Sequence, residues 1–326
     1  MDETLAPPKN SDNPSTESPW LSDISPRHAV WDATKAHADV VAVIYSTADD
    51  LRRYSKRVAV CSELLVLNEH MTSQGERSHK ASSAKCHCRH CPVCQRARAG
   101  RLVVAMEAAL APMVKAHPTG RWLFLTLTVR NCDIHDLRGT LKQMNAAWKR
   151  LVERKELSIV QGWLRSTEVT QGKDGKDMAH PHFHVLLFVP SYYFKTAAYI
   201  KHEKWLSLWQ ESARLDYQPS VYIKPVKTLV GGLMEVVKTT AYSVKADEIE
   251  TAPEWFLEYH RQVHKLRFFA TGGLVKEYLL IEDRPADDIA EGQAEGIETG
   301  RKMLFDWKRP VKRYRKRQGE SAPPAG

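Results

Sequence analysis

Apolar and polar residues alternate most regularly in "RWLFLTLTV" at 121–129, where the leucines fall on one face and the threonines on the other. A period of two residues is typical of a β-strand. Similar patterns at 162–171 and 180–189 flank the polar turn "GKDGKD". These segments predict an antiparallel hairpin and a further strand.

Between and beyond these strands, apolar residues recur at the three- and four-residue spacing of amphipathic helices. We predict helices at 32–70, 96–117, 136–156, 196–215, 231–247 and 253–268, a short strand at 221–226 broken at Pro225, and a strand or helix at 274–282. Long helices between strands, with one clear hairpin, predict an α+β fold on a mainly antiparallel sheet.

Composition divides the chain into four regions. Residues 1–30 are rich in Pro, Ser and acidic side chains, and we predict that they are disordered. A helical region with a cysteine cluster at 31–118 precedes the main strand-and-helix domain at 119–282, and a polar, basic tail follows at 283–326. We expect the cations of the tail to form a disordered arm that attracts DNA. These cations are Lys308, Arg309, Lys312, Arg313, Arg315, Lys316 and Arg317.

Charge and cysteine content narrow the class of protein. Lys and Arg outnumber Asp and Glu by 48 to 39 among 326 residues, and the net charge of +9 favours a polyanionic partner. No apolar run approaches the length of a membrane span and no signal peptide opens the chain, so we expect a cytoplasmic protein with no membrane partner. Six cysteines in such a chain are expected to be thiols or metal ligands rather than disulfides.

Three histidines alternate in "HPHFHVLLFV", so His180, His182 and His184 share one face of a predicted strand. Imidazoles this close together are stable when they are neutral and share a cation, which predicts a metal site. The third ligand beside His182 and His184 is either His180 or Glu168, which lies opposite His182 if the turn is centred on Gly175. Two imidazoles and a carboxylate suit Mg²⁺ or Mn²⁺, and Zn²⁺ also fits.

Tyr242 differs from the other tyrosines in its neighbours on a predicted helix. Steps of three and four residues place Glu235, Lys238, Tyr242 and Lys245 on one stripe. Flanking lysines stabilise a phenolate and attract phosphate, which makes Tyr242 a candidate nucleophile. The alternative is a solvated helix face that happens to contain a tyrosine.

The cluster "CHCRHCPVC" at 86–94 predicts a structural zinc site. The last two cysteines have the spacing of a zinc-binding pair, whereas the first two are closer together than usual. The candidate ligands are Cys86, Cys88, Cys91 and Cys94, with His87 or His90 as a replacement for one of the first two. Arg96, Arg98 and Arg101 follow directly and are candidates for contacts with DNA phosphates.

Three segments, in this order, resemble the motifs of the HUH endonucleases, and most closely the single-tyrosine replication initiators of rolling-circle plasmids. They are "FLTLTVRN" at 124–131, "HPHFHVLL" at 180–187 and "AYSVK" at 241–245. The resemblance implies a central five-stranded antiparallel sheet flanked by helices. It also implies a small N-terminal zinc-binding module, because similar initiators carry a "CP-x-C" followed by basic residues.

The same resemblance implies roles for individual residues. His182 and His184 would bind the divalent metal, Glu168 would lie on the preceding strand, and Tyr242 would attack DNA. The implied activity is nicking of one strand of plasmid origin DNA, either single-stranded or extruded as a hairpin. Attack leaves a 5′-phosphotyrosine and a free 3′-OH, which host polymerase extends with a host helicase in the bacterial cytoplasm before the strand is rejoined.

One position departs from the pattern of this family. Many relatives carry a Glu one helical turn before the tyrosine, whereas this chain has Lys238 there and Glu235 two turns away. Glu235, Asp247 and Glu248 are therefore competing candidates for the carboxylate that activates water in the terminating cleavage. The alternative for Glu235 is a surface pair with Lys238.

Two other functions remain compatible with these motifs. A transposase can use the same nuclease chemistry, and the DNA that flanks the gene distinguishes it from a plasmid initiator. A non-catalytic, zinc-dependent DNA-binding regulator would bind DNA without forming a covalent adduct.

Overall fold

The computed structural model describes residues 18–241, 246–279 and 297–318, and only the backbone at 238–241, 246–248 and 297–299. The chain divides into two compact units. Of the described residues, the first unit comprises 18–33, 62–84 and 297–318, and the second comprises 34–61, 85–241 and 246–279. This division differs from our boundaries at 30, 118 and 282, because the cysteine cluster belongs to the same unit as the 119–282 segment instead of forming a separate module.

The described strands and helices are numbered in chain order. The strands are β1 (Leu64–Met71), β2 (Arg77–Ser83), β3 (Arg121–Thr128), β4 (Cys132–Asp133), β5 (Gly162–Gln171), β6 (Met178–Val189), β7 (Val221–Val226), β8 (Phe269–Gly272), β9 (Ile297–Lys308) and β10 (Arg313–Lys316). The helices are α1 (Leu21–Ile24), α2 (Val30–Ser46), α3 (Arg52–Ala59), α4 (Pro92–Ala116), α5 (Leu137–Val152), α6 (His202–Ala213), α7 (Leu229–Ala241), α8 (Ala246–Thr251), α9 (Pro253–Val263) and α10 (Gly273–Leu279). The predicted α+β class is confirmed.

The first unit contains a four-stranded antiparallel sheet in the order β10-β9-β1-β2. Leu65, Leu67, Phe305 and Tyr314 are buried on one face of this sheet. The phenol of Tyr314 donates a hydrogen bond of 2.5 Å to the carbonyl of Ser62, so its polar end is also satisfied inside the unit.

Three sequence predictions for this unit are wrong. The predicted helix at 32–70 ends early, because 64–71 is the strand β1. The predicted basic tail includes two strands, in which Phe305 and Trp307, separated by Asp306, are both buried. The predicted N-terminal disorder does not extend to residues 21–24, which form α1.

Among the described residues, the second unit contains a six-stranded antiparallel sheet. Five strands follow the order β7-β3-β6-β5-β8, and the two-residue strand β4 pairs with β6. This corrects the expected five strands, because neither the short β4 nor the short β8 has enough residues for an alternating pattern to be visible in the sequence.

The strand and helix predictions for the second unit are otherwise close to the structure. The segments at 121–129, 162–171 and 180–189 correspond to β3, β5 and β6. Residues 221–226 form β7 without a break, because β7 lies at the edge of the sheet, where Pro225 is tolerated. The helix expected at 196–215 is shorter in the structure, and residues 274–279 of the ambiguous segment lie in α10, whereas 280–282 fall outside the described residues.

The two faces of the six-stranded sheet are covered by different helices. Leu164, Leu186 and Phe188 face a buried cluster to which α4, α7 and α10 contribute. On the opposite face, α5 and α6 supply Trp148 and Trp209, which pack against Trp163 and Phe183. The candidate chemistry described below lies on the face covered by α7.

No helix in the described part of the chain is long and apolar enough to cross a membrane.

Candidate active site

The hairpin of β5 and β6 brings together the metal ligands expected from the sequence. Its register pairs Glu168 with His182 and Ser166 with His184. Side chains opposite one another in an antiparallel pair share a face, so the slip that would have turned Glu168 away does not occur. The turn centred on Gly175 therefore has the predicted register.

Glu168 lies between the two imidazoles. Its Oε2 atom is 2.7 Å from Nε2 of His182 and 2.8 Å from Nε2 of His184. One ligand atom from each residue lies within 4.8 Å of the others, which is compact enough for a single ion. All three side chains are mostly buried, with 11–14% of their surface exposed.

Partners of the Nδ1 atoms orient both rings. Nδ1 of His182 lies 3.2 Å from the carbonyl oxygen of His180, which can only accept a hydrogen bond. Nδ1 of His184 lies 3.2 Å from the hydroxyl of Thr126, and the ring stacks on Phe124 with 5.4 Å between centroids. In both residues Nε2 is thereby directed at Glu168, as outer hydrogen bonds direct ligating histidines in metal sites.

The electrostatics of the site favour an ionised Glu168. Burial opposes ionisation, but hydrogen bonds from His182 and His184, together with their charges, outweigh it and lower the pKa of the carboxyl to about 2. Glu168 is therefore a carboxylate across the physiological pH range.

His180 does not belong to this group, although it was a candidate third ligand. Its Nδ1 atom lies 2.6 Å from the side-chain oxygen of Asn131, which holds the ring away from Glu168. Its ring packs beside that of His182, with 5.1 Å between centroids. Among the described residues, the structure therefore brings together Glu168, His182 and His184 as the candidate ligands.

The segment that contains the candidate nucleophile follows α7 directly. Tyr242 and Lys245 lie outside the described residues, and the side chain of Lys238 is not described. A Cβ atom on Gly232 would come within 2.6 Å of Leu186, so α7 lies very close to the sheet at that point. Further along α7, Ser166 donates a hydrogen bond of 3.1 Å to the carbonyl of Val236.

Glu235 faces the edge strand β7, and the side chain of Lys238, its alternative partner, lies outside the described residues. Its carboxylate lies 3.4 Å from the ammonium group of Lys224, and both side chains are partly exposed. Lys224 pairs with Phe124 across β7 and β3, which places this ion pair on the metal-ligand face of the sheet.

A second cluster of candidate metal ligands differs from the predicted one by a single residue. The thiols that converge are those of Cys61, Cys86, Cys91 and Cys94. Cys88 is buried next to them, but its sulfur is directed at the carbonyl of Cys86, 3.8 Å away. Hydrogen bonds from the neighbouring thiols, with Cys61 first, lower the pKa of Cys94.

Neither histidine of the cysteine motif replaces a thiol in the described group. His90 is buried in an aromatic cluster, with its ring centroid 5.2 Å from Tyr259 and 5.1 Å from His260. The side chain of His87 is exposed. The substitute for Cys88 is therefore Cys61, which precedes the motif by 25 residues.

The arginines after the cysteines have different surroundings. Arg96 donates a hydrogen bond of 2.9 Å to the hydroxyl of Thr34, which ties α4 to α2. Arg98 is partly buried and Arg101 is exposed. Their contact with DNA remains a prediction.

Sequence reasoning missed several residues of these sites. Cys61 was visible as one of six cysteines, but its distance from the motif hid its position beside Cys86, Cys91 and Cys94. Asn131 stands at the end of the motif "FLTLTVRN" and could have been considered as a partner for a histidine. Tyr222 and Lys224 belong to no recognisable motif, and only the pairing of β7 with β3 places them near the candidate metal ligands.

Comparison with known proteins gives one consistent family. A family model described as "Replication protein" matches residues 77–315. No solved structure matches the chain.

Individual relatives carry similar names. A "Protein rep" of Streptococcus pneumoniae is 32% identical over 197 residues, which cover 59% of this chain and 61% of that protein. A "Protein rep" of Lactiplantibacillus plantarum is 34% identical over 223 residues, covering 64% of this chain and 68% of the relative. A "Replication protein" of Staphylococcus aureus is 30% identical over 229 residues, covering 65% of this chain and 97% of the relative.

Proposed function

Because the chain belongs to the replication protein family, we propose that it initiates rolling-circle replication by nicking one strand of plasmid origin DNA with Tyr242. The observation that carries this proposal is the position of Glu168 between Nε2 of His182 and Nε2 of His184. The order of the three motifs in the sequence supplies the nucleophile and the class of substrate.

The chemistry of the three ligands fits a divalent cation. A carbonyl accepts at Nδ1 of His182, so Nδ1 carries a hydrogen and Nε2 is the nitrogen that is available to bind a cation. Oε2 of Glu168 lies 2.7 Å from Nε2 of His182, a separation bridged by a shared proton in the absence of metal, and a bound divalent cation would take the place of that proton. Two nitrogens and one oxygen suit Mg²⁺ or Mn²⁺, which keep open positions for other ligands.

Different residues of the chain have different roles in the proposed reaction. A divalent cation held by Glu168, His182 and His184 would polarise a non-bridging oxygen of the scissile phosphate. The hydroxyl of Tyr242 gives its proton to solvent water and its oxygen attacks phosphorus, and Lys245 stabilises the phenolate by its charge. The new bond joins the tyrosine oxygen to phosphorus, and the bond from phosphorus to the 3′ oxygen breaks. That oxygen takes up a proton and becomes the 3′-OH from which host polymerase extends.

The course of α7 supports Tyr242 as the nucleophile. Gly232 lies over Leu186, and Val236 lies over Ser166. Along the paired strands, Ser166 lies two residues closer to Glu168 than the position of Leu186 does. Four helical residues advance about 6 Å and two strand residues about 6.6 Å, so α7 runs along the strands toward the ligands. The residue after its last described position, Ala241, is Tyr242.

The test is the formation of a covalent protein–DNA adduct. The full chain is incubated with Mn²⁺ and single-stranded oligonucleotides that tile the DNA flanking its gene, and products are separated on a denaturing gel. We expect an adduct in the wild type, none after addition of EDTA, and none in His182→Ala or Glu168→Gln. His180→Ala is the matched control and should still form adduct, because Asn131 holds that ring outside the ligand group. An adduct that persists in EDTA would refute the metal assignment.

A further inference from the structure

The four converging thiols have the arrangement of a metal site in the second unit. Sγ of Cys94 lies 3.7 Å from Sγ of Cys61 and 3.5 Å from Sγ of Cys86. With Cys91, all four sulfur atoms lie within 4.8 Å of one another. A zinc ion bonded to four thiolates at about 2.3 Å holds its sulfur atoms about 3.8 Å apart, which matches these separations.

The surrounding backbone also suits a negatively charged cluster. The amide of Cys86 lies 3.4 Å from Sγ of Cys61, and the amide of Cys88 lies 3.5 Å from Sγ of Cys86, so both can donate to thiolates. The guanidinium of Arg57 donates to the carbonyl of Cys86 at 2.5 Å, which brings a positive charge beside the sulfurs. Such donors and charges offset the cost of holding several thiolates together.

We propose that Cys61, Cys86, Cys91 and Cys94 bind one structural zinc ion, and that Cys88 does not bind it. Cys61 follows α3, whereas Cys91 and Cys94 stand at the start of α4. The ion would therefore link the end of α3 to the beginning of α4. In the sequence, β1 and β2 lie between these two helices. An iron–sulfur cluster fits less well, because it would hold its thiolates around several iron atoms and farther apart.

Two measurements test the zinc site. Metal analysis of the purified full chain should find one zinc per molecule, and the Co²⁺-substituted protein should give the charge-transfer absorption of four thiolates. Cys61→Ser should lose the zinc or one thiolate of the Co²⁺ spectrum, whereas Cys88→Ser and Cys132→Ser should retain both. The Co²⁺ spectrum of the wild type tests the ligand number even if Cys61→Ser does not fold. Iron in place of zinc, no bound metal, or loss of zinc from Cys88→Ser would overturn the proposal.

A different observation concerns the edge strand beside the metal ligands. The register places Tyr222 opposite Thr126, and Thr126 opposite His184, so the three residues form one row on the same face. Neighbouring strands are about 4.8 Å apart, which puts the backbone of Tyr222 about 10 Å from that of His184. The side chain of Tyr222 is nevertheless 54% exposed.

Lys224 supplies a positive charge at the same place. Its ammonium nitrogen lies 5.9 Å from the ring centroid of Tyr222 and 5.3 Å from that of Phe124, the ring that stacks on His184. The same ammonium nitrogen of Lys224 lies 3.4 Å from the carboxylate of Glu235. An exposed aromatic ring beside a cation is the combination with which proteins hold single-stranded nucleic acid, by stacking on a base and contacting a phosphate.

We infer that Tyr222 stacks on a base next to the scissile phosphate and that Lys224 contacts a neighbouring phosphate. This inference rests on the proposed function, because it concerns the DNA that Tyr242 would cleave. Tyr222 and Lys224 are then positioning residues for single-stranded DNA, and neither takes part in bond making.

The test uses a tyrosine of equal exposure as its control. Tyr192 is also 54% exposed, but it follows the far end of β6 from the metal ligands. With a short single-stranded origin oligonucleotide, Tyr222→Ala should weaken binding and raise KM about tenfold with little change in kcat, whereas Tyr222→Phe and Tyr192→Ala should resemble the wild type. Lys224→Gln should reduce the salt dependence of binding.

Each unfavourable result has a distinct meaning. Equal binding by Tyr222→Ala and Tyr192→Ala would overturn the inference. Loss of the covalent adduct in Tyr222→Phe would overturn it as well, because Tyr222 would then be a nucleophile. Binding is measured without Mn²⁺ and without cleavage, so a wild type that forms no adduct would refute the proposed function while the stacking role is still decided.

Discussion

At the scale of single residues, the candidate chemistry depends on groups that are not themselves ligands. The carbonyl of His180 determines which nitrogen of His182 carries hydrogen, and Asn131 holds the ring of His180 aside. The three alternating histidines therefore have three different environments, although the sequence presents them as equivalent. Two of them face Glu168, and the third is held by an amide.

Tyr242→Phe should abolish strand cleavage and leave DNA binding nearly unchanged. The substitution keeps the ring and removes only the oxygen that would attack phosphorus, so the rate of adduct formation should fall by at least about a thousandfold. Adduct yield on a denaturing gel and binding by fluorescence anisotropy measure the two properties. An adduct that persists in the variant would assign the attack to another residue, and the exposed Tyr222 is then the first to examine.

Glu235→Ala should leave nicking and joining intact and slow the release of protein-free product. The expectation is that its carboxylate, held near β7 by Lys224, activates water for the terminating cleavage. Single-turnover assays on origin oligonucleotides separate the two steps. Unchanged release in Glu235→Ala, together with slow release in Asp247→Ala or Glu248→Ala, would move this role to the residues after the motif.

At the scale of elements, the close approach of α7 to the sheet is the feature on which the proposed site depends. Gly232 permits this approach, because any side chain there would meet Leu186 and Val226. The ladder of β5 and β6 then presents Glu168, His182 and His184 on the face along which α7 runs. A helix displaced from the sheet would carry the Tyr242 segment away from these ligands.

Gly232→Ala should destabilise the protein and reduce nicking, whereas Gly100→Ala should stabilise it. Both glycines lie in helices, but a Cβ on Gly232 would come within 2.6 Å of a Leu186 methyl group, and a Cβ on Gly100 would have no atom within 4 Å. Overpacking typically costs about 1–3 kcal/mol. Replacing glycine in an open helix position contributes about 0.5–1 kcal/mol.

Urea unfolding of the two glycine variants and of the wild type measures these differences in the free energy of unfolding. A shift of the same sign in both variants would show that helix propensity, rather than contact with the sheet, decides the effect at Gly232.

At the scale of the whole molecule, buried histidines connect stability with pH. His260 is buried against Tyr45, whose hydroxyl lies 2.9 Å from its Nδ1 atom. Burial, followed by the charges of His264 and Arg89, lowers the pKa of His260 from 6.5 to about 4. Burial also lowers the pKa of His90, which packs against the ring of His260.

The free energy of unfolding should therefore fall as pH decreases from about 6.5 to about 4. In that range the unfolded chain binds a proton at His260 and the folded chain does not, so stability is complete above pH 6.5 and is lost through this window. The shift from 6.5 to about 4 corresponds to about 3 kcal/mol for this residue.

Urea unfolding at a series of pH values checks this expectation. His260→Gln should flatten the pH dependence, and His135→Gln, which replaces a side chain that is 71% exposed, should not. A pH dependence that is unchanged in His260→Gln would show that other groups cause the acid instability.

The sequence by itself determined the parts of this protein that depend on local periodicity. Alternation predicted β3, β5 and β6, and it left two registers for the hairpin, of which the one centred on Gly175 pairs Glu168 with His182 as observed. Register in a hairpin is a property of neighbouring residues, because the length of the turn and the period of two decide which side chains face one another.

Only the tertiary structure decided the contacts between segments that are distant in the chain. Cys61 lies where Cys88 was expected, and Lys224 of the distant strand β7 lies 3.4 Å from Glu235. The sheet of the first unit pairs β1 with β9, more than 200 residues later in the chain. Such contacts depend on the path of the whole chain through space, which no local spacing of apolar, charged or ligand residues specifies.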